Sequence, residues 1–156
     1  MRTQDTIRTL NRLIQVCRDG EEFCQGCGDA VESSELGSIL RYRAEEWGRQ
    51  GDELQALVLL LGGEPATTGS LTVRGLQAWL VLRAAVLGRS DVAVLDHWRN
   101  IQERALDAYE HAIDGYLPER IRRTLGPQAD RIAERLEHLE RVCVQRGAQP
   151  RGAEGM

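Results

Sequence analysis

The stretch GGEPATTGS, residues 62–70, is the clearest loop in the sequence, because residues that favour turns crowd into it. Before it, a helical pattern of apolar residues continues to about Leu61. After it, a shorter apolar segment occupies about residues 73–87, and we predict a helix there. A simple up-and-down bundle would not need a connection as long as residues 62–90. The loop therefore predicts a crossover between two helical hairpins.

The first helix is predicted from about Thr6 onward. Its apolar and small residues recur at spacings of three and four, which is typical of the seam of a helical bundle. One charged residue, Glu21, lies within that pattern. The predicted seam comprises Ile7, Leu10, Ile14, Cys17, Glu21, Cys24, Gly28 and Val31.

Local signals mark the ends of the other long helices. Ser33 or Ser34 can cap the second helix, which ends at the loop. The third helix begins at about Ser90 and ends near Gly115, and Pro118 marks the start of the fourth. No segment alternates with a period of two, so we expect no strands. The prediction is an all-α, ferritin-like four-helix bundle with a crossover helix between helices 2 and 3.

The length of 156 residues is sufficient for one domain and short for two. We assign residues 5–146 to the bundle. Residues 147–156 are predicted to be a disordered tail.

Charge and hydropathy narrow the expected partners. Charged residues make up 28% of the chain and the formal net charge is -4, which gives no basic field for nucleic acid. The most apolar window, LQALVLLLGG, is too short to span a bilayer, and the N-terminus lacks a secretory pattern. We therefore expect a cytoplasmic protein that binds no membrane. The apolar run at residues 57–61 covers all sides of its helix, so one side is expected to meet the crossover helix or a partner chain. We expect a homodimer.

Several stretches resemble a family of uncharacterised bacterial ferritin-like proteins, over about residues 5–145. The most specific are the DGEE turn of the first helix and the LGGEP motif that is followed by GS. The resemblance implies a four-helix bundle of this length and an association with stress response. It implies no established activity. The similar stretches are TIRTLNRLIQVCRDGEEF, ELQALVLLLGGEPATTGS, GLQAWLVLRAAVLGR, LDAYEHAI and LPER.

Glu21 is the unusual residue of the first seam. A carboxylate that faces an apolar core costs several kcal/mol unless it is paired, protonated or bound to metal. Di-iron bundles use one glutamate from each of two helices and an E-x-x-H pair from each of the other two. Glu21 stands where the first glutamate would be, and Glu46 or Glu53 on the second helix could face it. These three residues are the candidate ligands for iron or manganese.

The other ligands of such a centre do not line up. None of the three histidines has a glutamate three positions before it. The central seam positions of the third and fourth helices are Gln102 and Gln128. The resemblance implies a histidine before the tryptophan of the crossover helix and acidic residues in the middle of the third. This sequence has Gln77, Arg99 and Gln102 there, and amides or arginines do not offset the charge of two cations.

Two functions remain open at the level of sequence. The ligand census favours a non-catalytic, stress-associated bundle with a degraded metal centre, no catalytic residues and no cofactor. A buried polar network of Glu21, Gln102 and Gln128 would then fix the register of the helices. The alternative is a di-iron or di-manganese carboxylate protein in iron handling or oxidative-stress defence.

The cysteines are expected to be reduced in the cytosol. Cys24 and Cys27 form a C-x-x-C pair, but near the end of a helix rather than at the N-terminus, where thiol pKa values fall. Cys17 is about 10 Å from Cys24 along the axis, too far for a disulfide. Only Cys143 is left as a further zinc ligand. We interpret Cys17, Cys24 and Cys143 as small apolar packing residues, and the role of the C-x-x-C pair stays open.

Overall fold

A computed structural model describes residues 2–69 and 91–145. These residues form four α-helices and no strand: α1 (Arg2–Ala30), α2 (Ser34–Leu60), α3 (Val92–Asp114) and α4 (Glu119–Gln145). The prediction of an all-helical four-helix bundle is confirmed for this part of the chain. The crossover helix, predicted at about residues 73–87, and the predicted tail at residues 147–156 lie outside the described residues.

Local chemistry sets both ends of α2. The Ser33 hydroxyl accepts a hydrogen bond from the Leu36 amide at 3.1 Å, which is the capping contact predicted from sequence. At the other end Gly62 takes a φ of +80°, which suits glycine because it lacks a Cβ. The Gly62 amide then donates to Leu59 O and the Gly63 amide to Val58 O, both at 3.0 Å. This Schellman pattern satisfies the last carbonyls of the helix.

The contact between α1 and α2 depends on glycines within both helices. A Cβ at Gly20 would lie 2.7 Å from the ring of Trp47, and one at Gly37 would lie 2.8 Å from the Gly28 carbonyl oxygen. Neither distance is possible for a real side chain. The two helices can therefore approach closely only because these positions carry no side chain.

The helices of each hairpin are antiparallel. Arg18 on α1 bonds to the Gly48 carbonyl on α2 at 3.3 Å, whereas Gly28, later in α1, lies against Gly37, earlier in α2. In the second hairpin, Arg99 on α3 lies 3.5 Å from Glu140 of α4. Later along α3, Tyr109 contacts Gln128, which comes earlier in α4.

The two hairpins pack so that α1 and α3 are also antiparallel. Cys17 of α1 contacts Tyr109 of α3 at 3.3 Å, and Leu13, earlier in α1, borders Ala112, later in α3. Since α2 runs against α1, α2 and α3 point in the same direction. The chain between Leu60 and Val92 therefore joins opposite ends of the bundle.

The start of that connection follows α1 back along the bundle. Gly63 lies against Ile7, near the beginning of α1. The Asn11 side chain then donates to Glu64 O at 3.0 Å and accepts from the Ala66 amide at 2.8 Å. Gly69 lies beside Asp19, about three helical turns beyond Ile7. The predicted loop is confirmed over its described part, and polar contacts fix its path.

The core between the helices is mainly aliphatic, with three aromatic anchors. Trp47, Trp98 and Tyr109 are buried, and the third tryptophan of the chain lies outside the described residues. The aliphatic residues of this core include Leu10, Ile14, Leu40, Leu54, Leu95, Ile121, Leu125, Ile132 and Leu139.

Candidate functional site

Glu21 lies at the boundary of α1 and α2, and not in the interior where the seam placed it. Its side chain is 33% exposed and accepts a hydrogen bond from Arg18 Nη1 at 3.1 Å. Gly20 takes the interior position instead, beneath the Trp47 ring. Because glycine leaves room for that ring, the seam advances three residues after Cys17 rather than four. The carboxylate therefore turns toward the flank, where an arginine neutralises it.

The interior polar group of the bundle is centred on Tyr109. Its hydroxyl donates to Gln128 Oε1 at 2.6 Å and accepts from Gln50 Nε2 at 3.4 Å. The Cys17 sulfur lies 3.3 Å from the same oxygen. Cys17, Gln50, Tyr109 and Gln128 are all buried and come one from each of the four helices. We refer to these four residues as the central polar network.

Gln128 is the residue of the predicted network that the structure places in this group. Its Nε2 donates to Gln50 O at 3.4 Å and to Glu53 Oε2 at 3.2 Å, so both ends of the amide have partners. Gln102 is also buried, but neither polar atom of its side chain has a hydrogen-bond partner among the described residues. Glu21 lies outside this group. Gln128 and Glu53 are therefore brought together, whereas Gln102 and Glu21 are not.

Arg135 extends the network toward α2, and the sequence interpretation did not include it. The residue is 5% exposed, and its Nη2 donates to Gln50 Oε1. Its Nε lies 3.7 Å from Glu46 Oε2, and the guanidinium stacks 5.2 Å from the centroid of the Trp47 ring. Burial lowers the pKa of Arg135, Glu46 opposes that effect, and the like charge of Arg43 adds to it.

The three candidate metal ligands have other partners. Glu46 Oε1 accepts from Arg43 Nη1 at 2.5 Å while its Oε2 faces Arg135, and the exposed Glu53 accepts from Gln128. Within residues 2–69 and 91–145, no group of three or more His, Cys, Asp or Glu side chains could hold a metal ion. These residues do not fit a two-metal centre, since arginine charges stand among the carboxylates.

A polar cleft opens from the network to the surface between α2 and α4. It has a volume of about 290 Å³ and is lined by three arginines, two glutamates and one glutamine. On α2 these residues recur at helical spacing, and on α4 two arginines are four residues apart, so each set occupies one helix face. That spacing is the signal that could have identified the cleft from sequence. Its lining residues are Glu46, Arg49, Gln50, Glu53, Arg131 and Arg135.

One family matches the chain. Residues 5–115 match the family described as Domain of unknown function (DUF2383). The chain belongs to this family. No curated protein matches it. In this DUF2383 protein the matched residues cover most of α1 and all of α2 and α3, but they end before α4, which supplies Gln128 and Arg135 to the site.

The cysteines of the DUF2383 protein are free thiols within the core. All four are buried, which agrees with the packing role proposed for Cys17, Cys24 and Cys143. Burial raises the pKa of Cys17 and of Cys27 to about 12, and it also raises the pKa of Cys24 and Cys143. Thiols of this kind are neutral and poorly nucleophilic at physiological pH.

None of the described helices of the DUF2383 protein is long and apolar enough to cross a membrane. Of the three histidines, His97 and His111 are exposed. His138 is half-buried, and its Nδ1 lies 3.5 Å from Arg43 Nη2.

Proposed function

We propose that this DUF2383 protein is a non-catalytic ferritin-like bundle in which an arginine-centred polar network stands in the place of a metal centre. The observation that supports it is the position of Arg135. Its guanidinium is buried between α2 and α4 and faces both Gln50 and Glu46. The network then serves to hold the four helices in register.

Electrostatics makes this arrangement unfavourable for a divalent cation. Two unit charges 4 Å apart interact by about 4 kcal/mol at an effective dielectric constant near 20, and a divalent ion doubles that repulsion. A metal bound by Glu46 would meet the charges of Arg43 and Arg135, which already contact the two oxygens of that carboxylate. Iron or manganese binding would require both arginines to move away.

We further propose that residues 5–146 form one ferritin-like domain of a cytoplasmic, stress-associated bacterial protein. What supports the ferritin-like part is the common direction of α2 and α3, which requires a long return connection. In this proposal a crossover helix at about residues 73–87 completes the connection, and residues 147–156 form a disordered tail.

Association into a homodimer is also part of the proposal. Leu59 and Leu60, at the end of α2, are 62% and 64% exposed. Two adjacent leucines of this exposure form an apolar patch that a second copy of the chain could cover. The sequence predicted a partner for the same run of residues.

Metal analysis tests the absence of a metal centre. We expect protein grown with added iron and manganese to carry far less than one ion per chain after desalting. Glu46→Gln and Glu21→Leu each remove a candidate ligand, and both should leave that content unchanged. Near-stoichiometric iron or manganese that Glu46→Gln abolishes would contradict the proposal and favour the di-iron or di-manganese alternative.

A further inference from the structure

The cleft between α2 and α4 contains more cationic groups than its own carboxylates neutralise. Arg49, Arg131 and Arg135 line it, together with Glu46 and Glu53. Both carboxylates already have partners. Glu46 is bound by Arg43 at 2.5 Å, and Glu53 accepts from Gln128 at 3.2 Å. Glu46 is also shared with Arg135, whose Nε lies 3.7 Å from Glu46 Oε2, so the arginines of the cleft that pair with neither carboxylate are Arg49 and Arg131.

Arg135 is the buried part of this cationic group. A guanidinium has five N–H donors in a planar fork. Nη2 of Arg135 donates to Gln50 and Nε faces Glu46 Oε2 at 3.7 Å, whereas the buried Nη1 has no acceptor among the described residues. The positive charge of Arg135 is therefore held at the inner end of the cleft, where it attracts an anion that enters.

Arg49 and Arg131 supply the outer part. Both are exposed, both line the same cleft, and neither has a hydrogen bond or an ion pair to another described residue. The cleft volume of about 290 Å³ leaves room for a tetrahedral oxyanion. Arginines recognise such groups through paired N–H donors.

We propose that this cleft binds a small oxyanion of the phosphate class. Arg135 supplies a fixed positive charge at the inner wall, and Arg49 and Arg131 donate to the anion from α2 and α4. The site goes beyond the proposed metal-free scaffold and needs no metal.

Calorimetric titration of the full chain with inorganic phosphate tests this site, with sodium chloride at matched ionic strength as the blank. We expect saturable binding to the wild-type protein. Arg49→Gln and Arg131→Gln should each weaken that binding by about tenfold, the typical effect of one charge-assisted hydrogen bond. Both side chains are exposed, so these variants should fold, and circular dichroism checks that they do.

Arg141→Gln is the matched control, because Arg141 is an exposed arginine of α4 that does not line the cleft. It should bind phosphate as the wild type does. No saturable binding, or an equal loss in Arg141→Gln, would overturn the proposal and indicate an adventitious ion only. The ligand of the cleft could be free phosphate or the phosphate group of an organic molecule. Titration with a simple alkyl phosphate distinguishes the two, since tighter binding of the ester would identify an organic phosphate. Metal content is measured independently, so failure here leaves the metal-free proposal intact.

Discussion

At the scale of single residues, one hydroxyl holds the centre of the bundle. Tyr109 is buried among Gln50, Gln128 and Cys17, and its oxygen is both a donor and an acceptor. It donates its proton to Gln128 Oε1 at 2.6 Å. The hydroxyl therefore carries more of the stability of the fold than an exposed tyrosine would.

Removing that hydroxyl should destabilise the protein. We expect Tyr109→Phe to lower the free energy of unfolding by about 1–3 kcal/mol, because it leaves the buried Gln128 oxygen without its donor. Urea denaturation followed by circular dichroism measures the change. Tyr42→Phe is the control, since Tyr42 is 55% exposed. Equal effects in the two variants would contradict the role of Tyr109.

The buried thiols predict a loss of stability at high pH. The pKa of Cys17 and of Cys27 is about 12 in the folded chain, raised by burial from the ordinary value of 9.0. Because unfolded thiols lose their protons first, stability is full below pH 9 and falls as the pH rises toward 12. Each thiol contributes a slope of up to about 1.4 kcal/mol per pH unit. Tyr109, whose pKa is also raised by burial, steepens the fall.

Denaturation midpoints measured from about pH 8 to about pH 11 test this dependence. Cys27→Ala should reduce the slope, because it removes one thiol without touching the central polar network. A slope that this variant leaves unchanged would contradict the assignment to Cys27. At neutral pH, all four cysteines should react with an alkylating reagent only after denaturant is added, because all four are buried in the folded chain.

At the scale of elements, the pairing of α1 with α2 depends on positions that have no side chain. The sequence contains glycines inside both helices, where they would ordinarily weaken a helix. These glycines allow the backbones of α1 and α2 to approach closely. The Trp47 ring occupies the space above Gly20, and this contact also decides which way Glu21 turns.

A methyl group at Gly20 should therefore be unfavourable despite its helical preference. The added Cβ would lie 2.7–2.9 Å from the buried Trp47 ring. We expect Gly20→Ala to destabilise the protein by about 1–3 kcal/mol, which exceeds the gain of about 1 kcal/mol in helix propensity. Thermal and urea denaturation measure it.

Gly115→Ala is the control for this change. Gly115 has an extended backbone, and the nearest atom to a new Cβ lies at an ordinary 3.4 Å. The free energy of unfolding of the Gly115→Ala protein should stay within about 0.5 kcal/mol of the wild-type value. A Gly20→Ala protein as stable as the wild type would show that α1 and α2 can separate at no cost.

At the scale of the whole molecule, the exposed leucines of α2 predict self-association. Light scattering at tens of micromolar protein should give twice the chain mass of 17.5 kDa. Leu59→Glu combined with Leu60→Glu should give the monomer mass with unchanged helicity, because a charge in an apolar contact opposes association.

The matched control places glutamate at another exposed apolar position. Val144 lies near the end of α4, which runs against α2, so it is at the opposite end of the bundle from Leu59. Val144→Glu should remain a dimer. A monomeric wild type, or dissociation by this control alone, would contradict the proposed contact.

Much of the helical framework could be predicted from the sequence, because its signals act within a few residues. Ser33 caps the helix that it precedes, and Gly62 and Gly63 satisfy the carbonyls just before them. The same is true of the loop that leaves α2, where turn-forming residues cluster. Helix boundaries are therefore local properties of the chain.

The composition of the site was decided by the tertiary structure. Glu21 matched the seam pattern, yet the space available to the Trp47 ring placed Gly20 inside and Glu21 at the edge. Arg135 resembles any arginine on a polar helix face, but its hydrogen-bond partner Gln50 lies 85 positions earlier in the chain. Periodicity identifies the face of a helix to within one neighbouring position, and it carries no information about which distant side chain will meet it. The cleft of α2 and α4 therefore exists only in the packed bundle, because burial and charge pairing are properties of helices brought together.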